Sequence, residues 1–303
     1  MKTTLKTTDR KFLFLVNQKA GHRKGESLLR IVEAWGGRNG IDFEVCESHE
    51  SGGYPHIEER ILDPEKTVIA VIGGDGTFRQ VCASLRHTGA SFGILPAGSG
   101  NGLALGTGIP KEPNAALELL LQGEAQWTDG FSVNGHFSCM LSGIGFDAAV
   151  AHEFSSQKTR GLITYARITL QRFFGSKPYT FHLKNGDTCL TTKAFFISTA
   201  NSNQFGNRFT IAPKARVDDG LLDIVVVREM AKWQIPFAVL QQIRGGDIDE
   251  DLFRKKGILY FRTGGIEIGN PDMAPLHIDG DPVETDATVR IEVIPKAFKL
   301  IRP

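Results

Sequence analysis

A short apolar segment that ends abruptly in glycines, residues 68–77, sets the fold class of this chain. Val68–Ile72 is apolar and largely β-branched, as in a buried parallel strand. The next five residues, Gly73–Thr77 (GGDGT), include three glycines, which permit positive φ and bring backbone N–H groups close to a ligand. Phe78–Arg86 then predicts a helix, with Thr77 as its candidate N-cap. A strand, a glycine turn and a helix N-terminus in this order predict a phosphate site.

A second glycine cluster, Gly98–Gly102 (GSGNG), follows the strand predicted at Ser91–Leu95. Either cluster alone could be an ordinary loop, but two of them at the same end of a parallel sheet would form one crevice. The loop after the first predicted strand, at Asn17, should open at the same edge. The residues predicted to bind nucleotide are Asn17, Gly73, Gly74, Asp75, Gly76, Thr77, Gly98, Ser99, Gly100 and Asn101.

The order of elements predicts two domains. Strands alternate with helices up to about residue 125, which indicates a parallel α/β domain over 1–125. Strand-like segments dominate 126–295, among them Phe137–Leu141, and indicate an antiparallel β domain with a helical insertion at 148–174. Residues 296–303 form a tail that could return to the first domain, and a further helix is predicted at 232–244.

Composition excludes several classes of protein. The 303 residues carry a formal net charge of +1, so no overall field attracts nucleic acid. Four widely spaced cysteines and scattered histidines lack the spacing of a disulfide framework or a zinc site. The first ten residues are polar and no apolar run approaches about 20 residues, which predicts a cytoplasmic protein whose contact with lipid is peripheral.

Carboxylates at three places are candidates for catalysis or substrate binding. Asp75 lies inside the first glycine turn, where it could hold Mg²⁺ or accept a proton. Asp279 and Asp281 flank Gly280 after a predicted strand, which is typical of a hairpin turn and also of a general base at a strand end. Asp147 follows a glycine-rich strand end, where it could cap a helix or bind a substrate hydroxyl, and both roles are compatible.

A further acidic segment surrounds Gly220. Asp218 and Asp219 are adjacent, so their side chains point apart, and one could bind a cation with a nearby backbone carbonyl such as that of Leu221. A plain Asp-Gly turn explains the same residues. Asp129, at the predicted domain junction, could orient water around Mg²⁺ or cap a turn.

Together these motifs resemble the diacylglycerol kinase catalytic-domain family, which includes bacterial lipid kinases and sphingosine and ceramide kinases. The resemblance covers nearly the whole chain. Gly73–Thr77 matches the family's nucleotide signature without departure, and Pro213–Gly220 resembles its Pro-x-Ala-x-x-Asp-Asp-Gly block. Two positions depart from the pattern: Gln18 stands where proline is usual, and Asp281 stands where the family has glutamate.

The resemblance implies a phosphofructokinase/NAD-kinase-like α/β domain that binds ATP and a β-sandwich that binds lipid, with catalysis in the cleft between them. Asp279 would be the general base on the lipid hydroxyl, and Asp75 would serve the phosphates and Mg²⁺. Asp219 would hold a structural Mg²⁺, bridged by water to Asp129. The shorter Asp281 would reach less far toward substrate.

The sequence therefore predicts an ATP- and Mg²⁺-dependent lipid kinase that meets its substrate at a membrane surface. The acceptor would be diacylglycerol or a sphingoid- or ceramide-like lipid. Two alternatives stay open: a soluble kinase like NAD kinase, and a catalytically silent homologue that binds nucleotide or lipid. The exposed edge strands of a β domain would also allow a homodimer.

Overall fold

The computed structural model describes residues 9–17, 22–48, 53–157, 162–204, 212–228 and 257–303. The chain divides into two compact units, one formed by residues 1–128 with 296–303 and the other by residues 129–295. The helix predicted at 232–244 lies outside the described residues.

The described elements alternate between strands and helices at first and are mainly strands later. In chain order they are β1 (Lys11–Val16), α1 (His22–Asn39), β2 (Phe43–Glu47), α2 (Pro55–Glu58), β3 (Thr67–Gly73), α3 (Asp75–Leu85), β4 (Ser91–Pro96), α4 (Gly102–Gly106), α5 (Pro113–Gln122), β5 (Glu124–Val133), β6 (His136–Ser138), β7 (Leu141–Gly145), α6 (Phe146–Ser156), α7 (Leu162–Gly175), β8 (Tyr179–Asn185), β9 (Thr188–Ala200), β10 (Leu222–Arg228), β11 (Ile258–Thr263), β12 (Gly265–Gly269), β13 (Leu276–Ile278), β14 (Asp281–Val283) and β15 (Thr288–Arg302).

The first unit is a parallel sheet in the order β2–β1–β3–β4–β15, which confirms the predicted α/β class. From β1 the chain moves outward to β2 and then crosses to β3 on the other side of β1. The carboxyl ends of β1 and β3 therefore flank a topological switch point, where open α/β sheets bind ligands.

Aromatic side chains fill the core of this unit around fully buried strands. Every residue of β3 is buried, as expected for a central parallel strand. Trp35 of α1 packs edge-on against Phe12, with ring centroids 5.4 Å apart. A second group joins Phe78 and Phe92 to Phe298 of β15, with centroids 5.7–6.0 Å apart. The last residues of β15 thus complete the sheet and part of the core of the first unit.

The start of α3 differs from the predicted one. The helix begins at Asp75 and its N-cap is Gly74 in an extended conformation, so the prediction of Thr77 as N-cap was wrong. Thr77 lies in the first helical turn and is only 8% exposed.

The second unit is antiparallel, as predicted, in the order β14–β13–β7–β9–β8–β12–β15, with β10 pairing β9 and β11. Its apolar core alternates along the strands, for example at Phe181 and Leu183 of β8. The single strand predicted at Phe137–Leu141 is two strands, β6 and β7, separated by Cys139 and Met140. Among the described helices, none combines the length and the hydropathy needed to cross a membrane.

Candidate active site

In the first unit, the predicted nucleotide residues lie at the carboxyl ends of β1, β3 and β4. The Asn17 side-chain amide donates to the Thr77 hydroxyl at 2.9 Å. This bond ties the residue that follows β1 to the first turn of α3, across the switch point. It also gives Thr77 a positioning role that differs from helix capping.

The two glycine turns touch each other backbone to backbone. A methyl group built on Gly98 would lie 2.6 Å from the Cα atom of Gly74, and one built on Gly74 would lie 3.2 Å from that of Gly98. Such an approach requires glycine on both sides, because the neighbouring atoms are backbone and cannot rotate away. The turns predicted separately from sequence therefore form one assembly.

Asn101 fixes the shape of the second turn. Its side-chain oxygen accepts the Gly98 N–H at 2.9 Å and its amide donates to the Gly98 carbonyl at 2.8 Å. Asn101 is buried and adopts a left-handed conformation with φ of 53°. Ser99 is exposed on this turn, and Gly76 and Gly100 are half-buried. Asn101 therefore shapes the loop, while Ser99 is accessible to a ligand.

Asp75 connects the first turn to the helix that follows the second. Its carboxylate accepts the backbone N–H groups of Gly102 at 2.9 Å and Leu103 at 3.2 Å, the first two residues of α4. A carboxylate at a helix N-terminus satisfies N–H groups that have no partner within the helix and interacts favourably with the helix dipole. Asp75 therefore holds α4, and with it the second glycine turn, against the first.

In the second unit, Asp279 is 7% exposed and lies in the turn between β13 and β14. Its φ of 50° and that of Gly280, 86°, are left-handed, as in a tight hairpin turn. The carboxylate oxygen Oδ1 accepts the Ser138 hydroxyl at 2.9 Å and the N–H groups of Met140 and Leu141 at 3.1 and 2.9 Å. Oδ2 accepts the Cys139 N–H at 3.3 Å.

The hydrogen bonds to the Asp279 carboxylate explain why the strand predicted at Phe137–Leu141 is interrupted. The N–H groups of Cys139 and Met140 point to the Asp279 carboxylate instead of a neighbouring strand. The hairpin and the catalytic interpretations of Asp279 are compatible, because the turn places a buried carboxylate in a ring of donors.

Asn201 supports the same segment and was not predicted as a site residue. It is fully buried, and its side-chain amide donates to the carbonyl groups of Asp129 and Cys139 at 2.8 and 3.1 Å. Its backbone N–H donates to the Met140 carbonyl at 2.8 Å. The sequence feature that could have identified Asn201 is its position as a polar residue directly after the long strand β9. Ser138 has no comparable feature in its local sequence.

Asp147 lies in the first turn of α6, two residues after the N-cap Gly145, so it does not cap the helix in the predicted way. It is 7% exposed, and its Oδ1 accepts the Ala148 N–H at 2.8 Å while Oδ2 lies 3.5 Å from Nε2 of the buried His277. Burial raises the pKa of the nearby Tyr165 phenol, and the charge of Asp147 raises it further.

Two of the predicted metal ligands, Asp129 and Asp219, contact the acidic turn that follows residue 217. Asp129 is buried, and its Oδ2 accepts the Gly220 N–H at 2.7 Å. Asp219 accepts the Leu221 N–H at 3.1 Å and forms an ion pair with Arg262. Both carboxylates therefore contact the same turn.

Two other predicted residues are placed less centrally. Asp218 is exposed and pairs with Arg216 at 3.2 Å. Asp281 is half-buried at the first position of β14. Within the described ranges, no group of three or more His, Cys, Asp or Glu side chains is arranged to hold a metal ion.

Two protein families match the chain, one for each half. Residues 11–133 match the family described as "Diacylglycerol kinase catalytic domain". Residues 141–302 match the family described as "YegS C-terminal NAD kinase beta sandwich-like domain". The second match covers more than half of the chain and supports the predicted β-sandwich class of the second unit.

Relatives and solved structures agree with these families. A "probable lipid kinase YegS-like" of Pseudomonas aeruginosa is 30% identical over 287 residues, which cover 93% of this chain and 92% of that protein. A protein of the same description from Shewanella frigidimarina is 28% identical over 254 residues, or 82% and 80% of the two chains. A crystal structure of a diacylglycerol kinase from Bacillus anthracis superposes with a TM-score of 0.70 at 18% identity, covering 100% of this chain and 98% of that one, and so supports the fold.

Proposed function

The chain belongs to the diacylglycerol kinase catalytic-domain family, and on that premise we propose that it transfers the γ-phosphoryl group of ATP to a lipid hydroxyl. The observation that carries the proposal is the Asp279 carboxylate, buried in a turn and held by one hydroxyl and three backbone N–H groups. A homologue that only bound nucleotide would not need such a fixed carboxylate.

The first unit supplies the nucleotide site. Phosphoryl transfer requires mainly positioning and charge stabilisation from the protein. The N–H groups at the start of α3 suit phosphate oxygens, because the first N–H groups of a helix have no acceptor within the helix. Asp75 keeps the two glycine turns together and, as the carboxylate nearest them in sequence, is the residue proposed to serve the Mg²⁺ that accompanies ATP.

The second unit supplies the base. Oδ1 of Asp279 is engaged by three donors, so we assign proton acceptance to Oδ2, which receives longer contacts from the N–H and the thiol of Cys139. As the lipid oxygen bonds to the γ-phosphorus, its O–H bond breaks and the proton moves to Oδ2, while the bond from the γ-phosphorus to the bridging oxygen breaks and ADP leaves. Asp147 and Asp281 are proposed to orient the lipid.

A structural Mg²⁺ fits the donor chemistry of the turn at Gly220. Carboxylate and carbonyl oxygens are the ligands that Mg²⁺ prefers, and Asp129, Asp219 and the Leu221 carbonyl lie at this turn. Asp218 would be an outer partner, since it pairs with Arg216. When bound, the ion would offset the negative charge of the turn, which Arg262 does in this structure.

The lipid is proposed to be diacylglycerol or a sphingoid- or ceramide-like molecule presented at a membrane surface. The decisive experiment is transfer of radiolabel from γ-labelled ATP, with Mg²⁺, to each of these lipids in mixed micelles, with NAD as a soluble competitor. We expect label in one lipid class and none in NAD.

Asp279→Asn should abolish the label, because an amide cannot take the proton. Asp187→Asn is the matched control, since Asp187 is exposed in the β8–β9 turn of the same unit. Label in NAD would assign the chain to soluble nucleotide kinases. ATP binding without any transfer would instead favour the silent homologue.

A further inference from the structure

His277 has no role in the mechanism above, yet it is fully buried two residues before Asp279. It lies in β13 directly opposite Gly143 of β7. A buried imidazole normally satisfies both ring nitrogens, because an unpaired polar atom in the interior is costly. The surroundings of the two nitrogens therefore show what the ring does.

The Nδ1 side of the ring binds the turn that carries Asp279. The Gly280 N–H donates to Nδ1 of His277 at 3.3 Å. Since a backbone N–H can only donate, Nδ1 must be unprotonated and the neutral ring carries its proton on Nε2. Asp279 and Gly280 both have left-handed backbones, which cost conformational energy in a residue other than glycine. The imidazole thus helps to hold a strained turn.

The Nε2 side of the ring faces Asp147. Nε2 lies 3.5 Å from Asp147 Oδ2, an electrostatic contact longer than a hydrogen bond, and both side chains are more than nine-tenths buried. A methyl group at Gly143 would lie 1.9 Å from Asp147 Oδ2 and 2.5 Å from His277 Nε2. The absence of a side chain at Gly143 therefore provides the space in which the imidazole proton and the carboxylate meet.

We propose that His277 is a positioning residue that links two functional carboxylates, holding the Asp279 turn through a hydrogen bond at Nδ1 and facing the Asp147 carboxylate electrostatically with Nε2–H. The proposal rests on the proposed kinase function for the roles of Asp279 and Asp147. His277 itself does not touch the substrate. It fixes the distance between the residue that accepts the proton and the residue that orients the lipid.

The two halves of this link should affect different kinetic constants. Loss of the Nδ1 acceptor releases the Gly280 N–H and lets the turn relax, which displaces Asp279 and lowers kcat. Loss of the Nε2 donor leaves the buried Asp147 carboxylate without its facing proton, which disturbs lipid orientation and raises KM for lipid.

Two conservative substitutions separate the halves. In His277→Asn the amide oxygen can take the place of Nδ1, and in His277→Gln the amide nitrogen can take the place of Nε2. We expect His277→Asn to raise KM for lipid about tenfold with little change in kcat, and His277→Gln to lower kcat about tenfold with little change in KM. The same two substitutions at His182, exposed on β8, are the control and should change neither constant.

A measurement on the wild-type protein does not depend on activity or on the folding of a variant. Nitrogen-15 NMR of the imidazole should show Nδ1 unprotonated and Nε2 protonated at neutral pH. A proton on Nδ1 would overturn the proposal, as would identical kinetic effects of the two variants when both are folded. If no lipid is phosphorylated by the wild type, the proposed function fails while the NMR result still decides the tautomer.

Discussion

At the scale of single residues, the contact between the two glycine turns leaves no room for an added side chain. Gly98→Ala would place a methyl group 2.6 Å from the Cα atom of Gly74, where only a backbone shift can make room. We expect the variant to bind ATP at least about tenfold more weakly, because the turns can no longer approach each other. Isothermal titration calorimetry with ATP measures this.

The matched control for that substitution is Gly37→Ala in α1, where a methyl group would meet nothing within 4 Å. Alanine in a helix should stabilise the protein by about 0.5–1 kcal/mol and leave ATP binding unchanged. Equal ATP affinity of the two variants would show that the glycine contact does not shape the nucleotide site.

Asp223 gives a prediction about pH. Burial raises its pKa, and the hydrogen bond from Tyr260 and the charge of Arg262 offset part of that effect. Because the folded-state pKa lies above the unfolded-state pKa, the stability that goes with protonation is present at low pH and lost as pH rises through the folded-state pKa.

Asp223→Asn removes this titration, so its melting temperature relative to wild type should increase from about pH 4 to about pH 8. Thermal unfolding at the two pH values, followed by circular dichroism, tests this. Asp187→Asn, on the exposed β8–β9 turn, should show no such trend. A difference that stays constant with pH would contradict the argument.

Sequence reasoning at this scale found residues that belong to local motifs and missed those that depend on tertiary contacts. The glycine turns and Asp279 follow strands directly, so their position along the chain is informative. Ser138 and His277 reach their partners across 141 and 3 positions respectively, and are ordinary polar residues in their local context. The hydrogen bond between the Gly280 N–H and His277 could have been predicted only once the hairpin was known.

At the scale of elements, the break between β6 and β7 is a clear difference between the predicted and the observed secondary structure. A continuous strand over Phe137–Leu141 is what the apolar pattern predicts. The structure shows that Asp279 takes the N–H groups of Cys139 and Met140 instead. Tertiary contacts overrode strand propensity at this point. Burying a carboxylate without hydrogen-bond donors costs more free energy than is gained by extending a short strand by two residues.

Ser138→Ala tests this arrangement, because it removes one donor to Asp279 and leaves the three backbone donors in place. We expect about 1 kcal/mol less stability and a kcat about tenfold lower, with KM for ATP unchanged. Urea unfolding and steady-state kinetics measure these. Ser132→Ala, on the half-buried face of β5, is the control. An unchanged kcat would mean that the hydroxyl does not position Asp279.

The strands β3 and β4 of the first unit were predictable because central parallel strands are apolar along their length, and here each is followed by a glycine turn. The exact helix starts were not, since α3 begins at Asp75 rather than at the predicted Phe78. Helix ends depend on capping contacts that lie outside the periodic segment.

At the scale of the whole molecule, residues 296–303 at the end of β15 belong to the first unit, so the stability of that unit depends on the last residues of the chain. Phe298 is 1% exposed and packs against Phe78 and Phe92. Phe298→Ala should cost about 3–5 kcal/mol and reduce the thermal stabilisation that ATP provides, because the core beneath α3 loosens. Differential scanning calorimetry with and without ATP measures both effects.

Phe298→Leu is the graded comparison, since leucine fills more of the space and should cost about half as much. Equal losses for the two variants would indicate that the aromatic ring contacts, rather than volume, hold β15 in place.

The return of the chain to the first unit has a consequence for the order in which the protein is made. A ribosome synthesises residues 129–295 of the second unit before it reaches Lys299 and Leu300, which pair with β4. Until then the nascent first unit exposes the unpaired edge of β4 and the apolar surface that Phe298 later covers. The first unit can therefore mature only after the rest of the chain has been translated, and a chaperone that shields its open edge during that interval should raise the yield of folded protein.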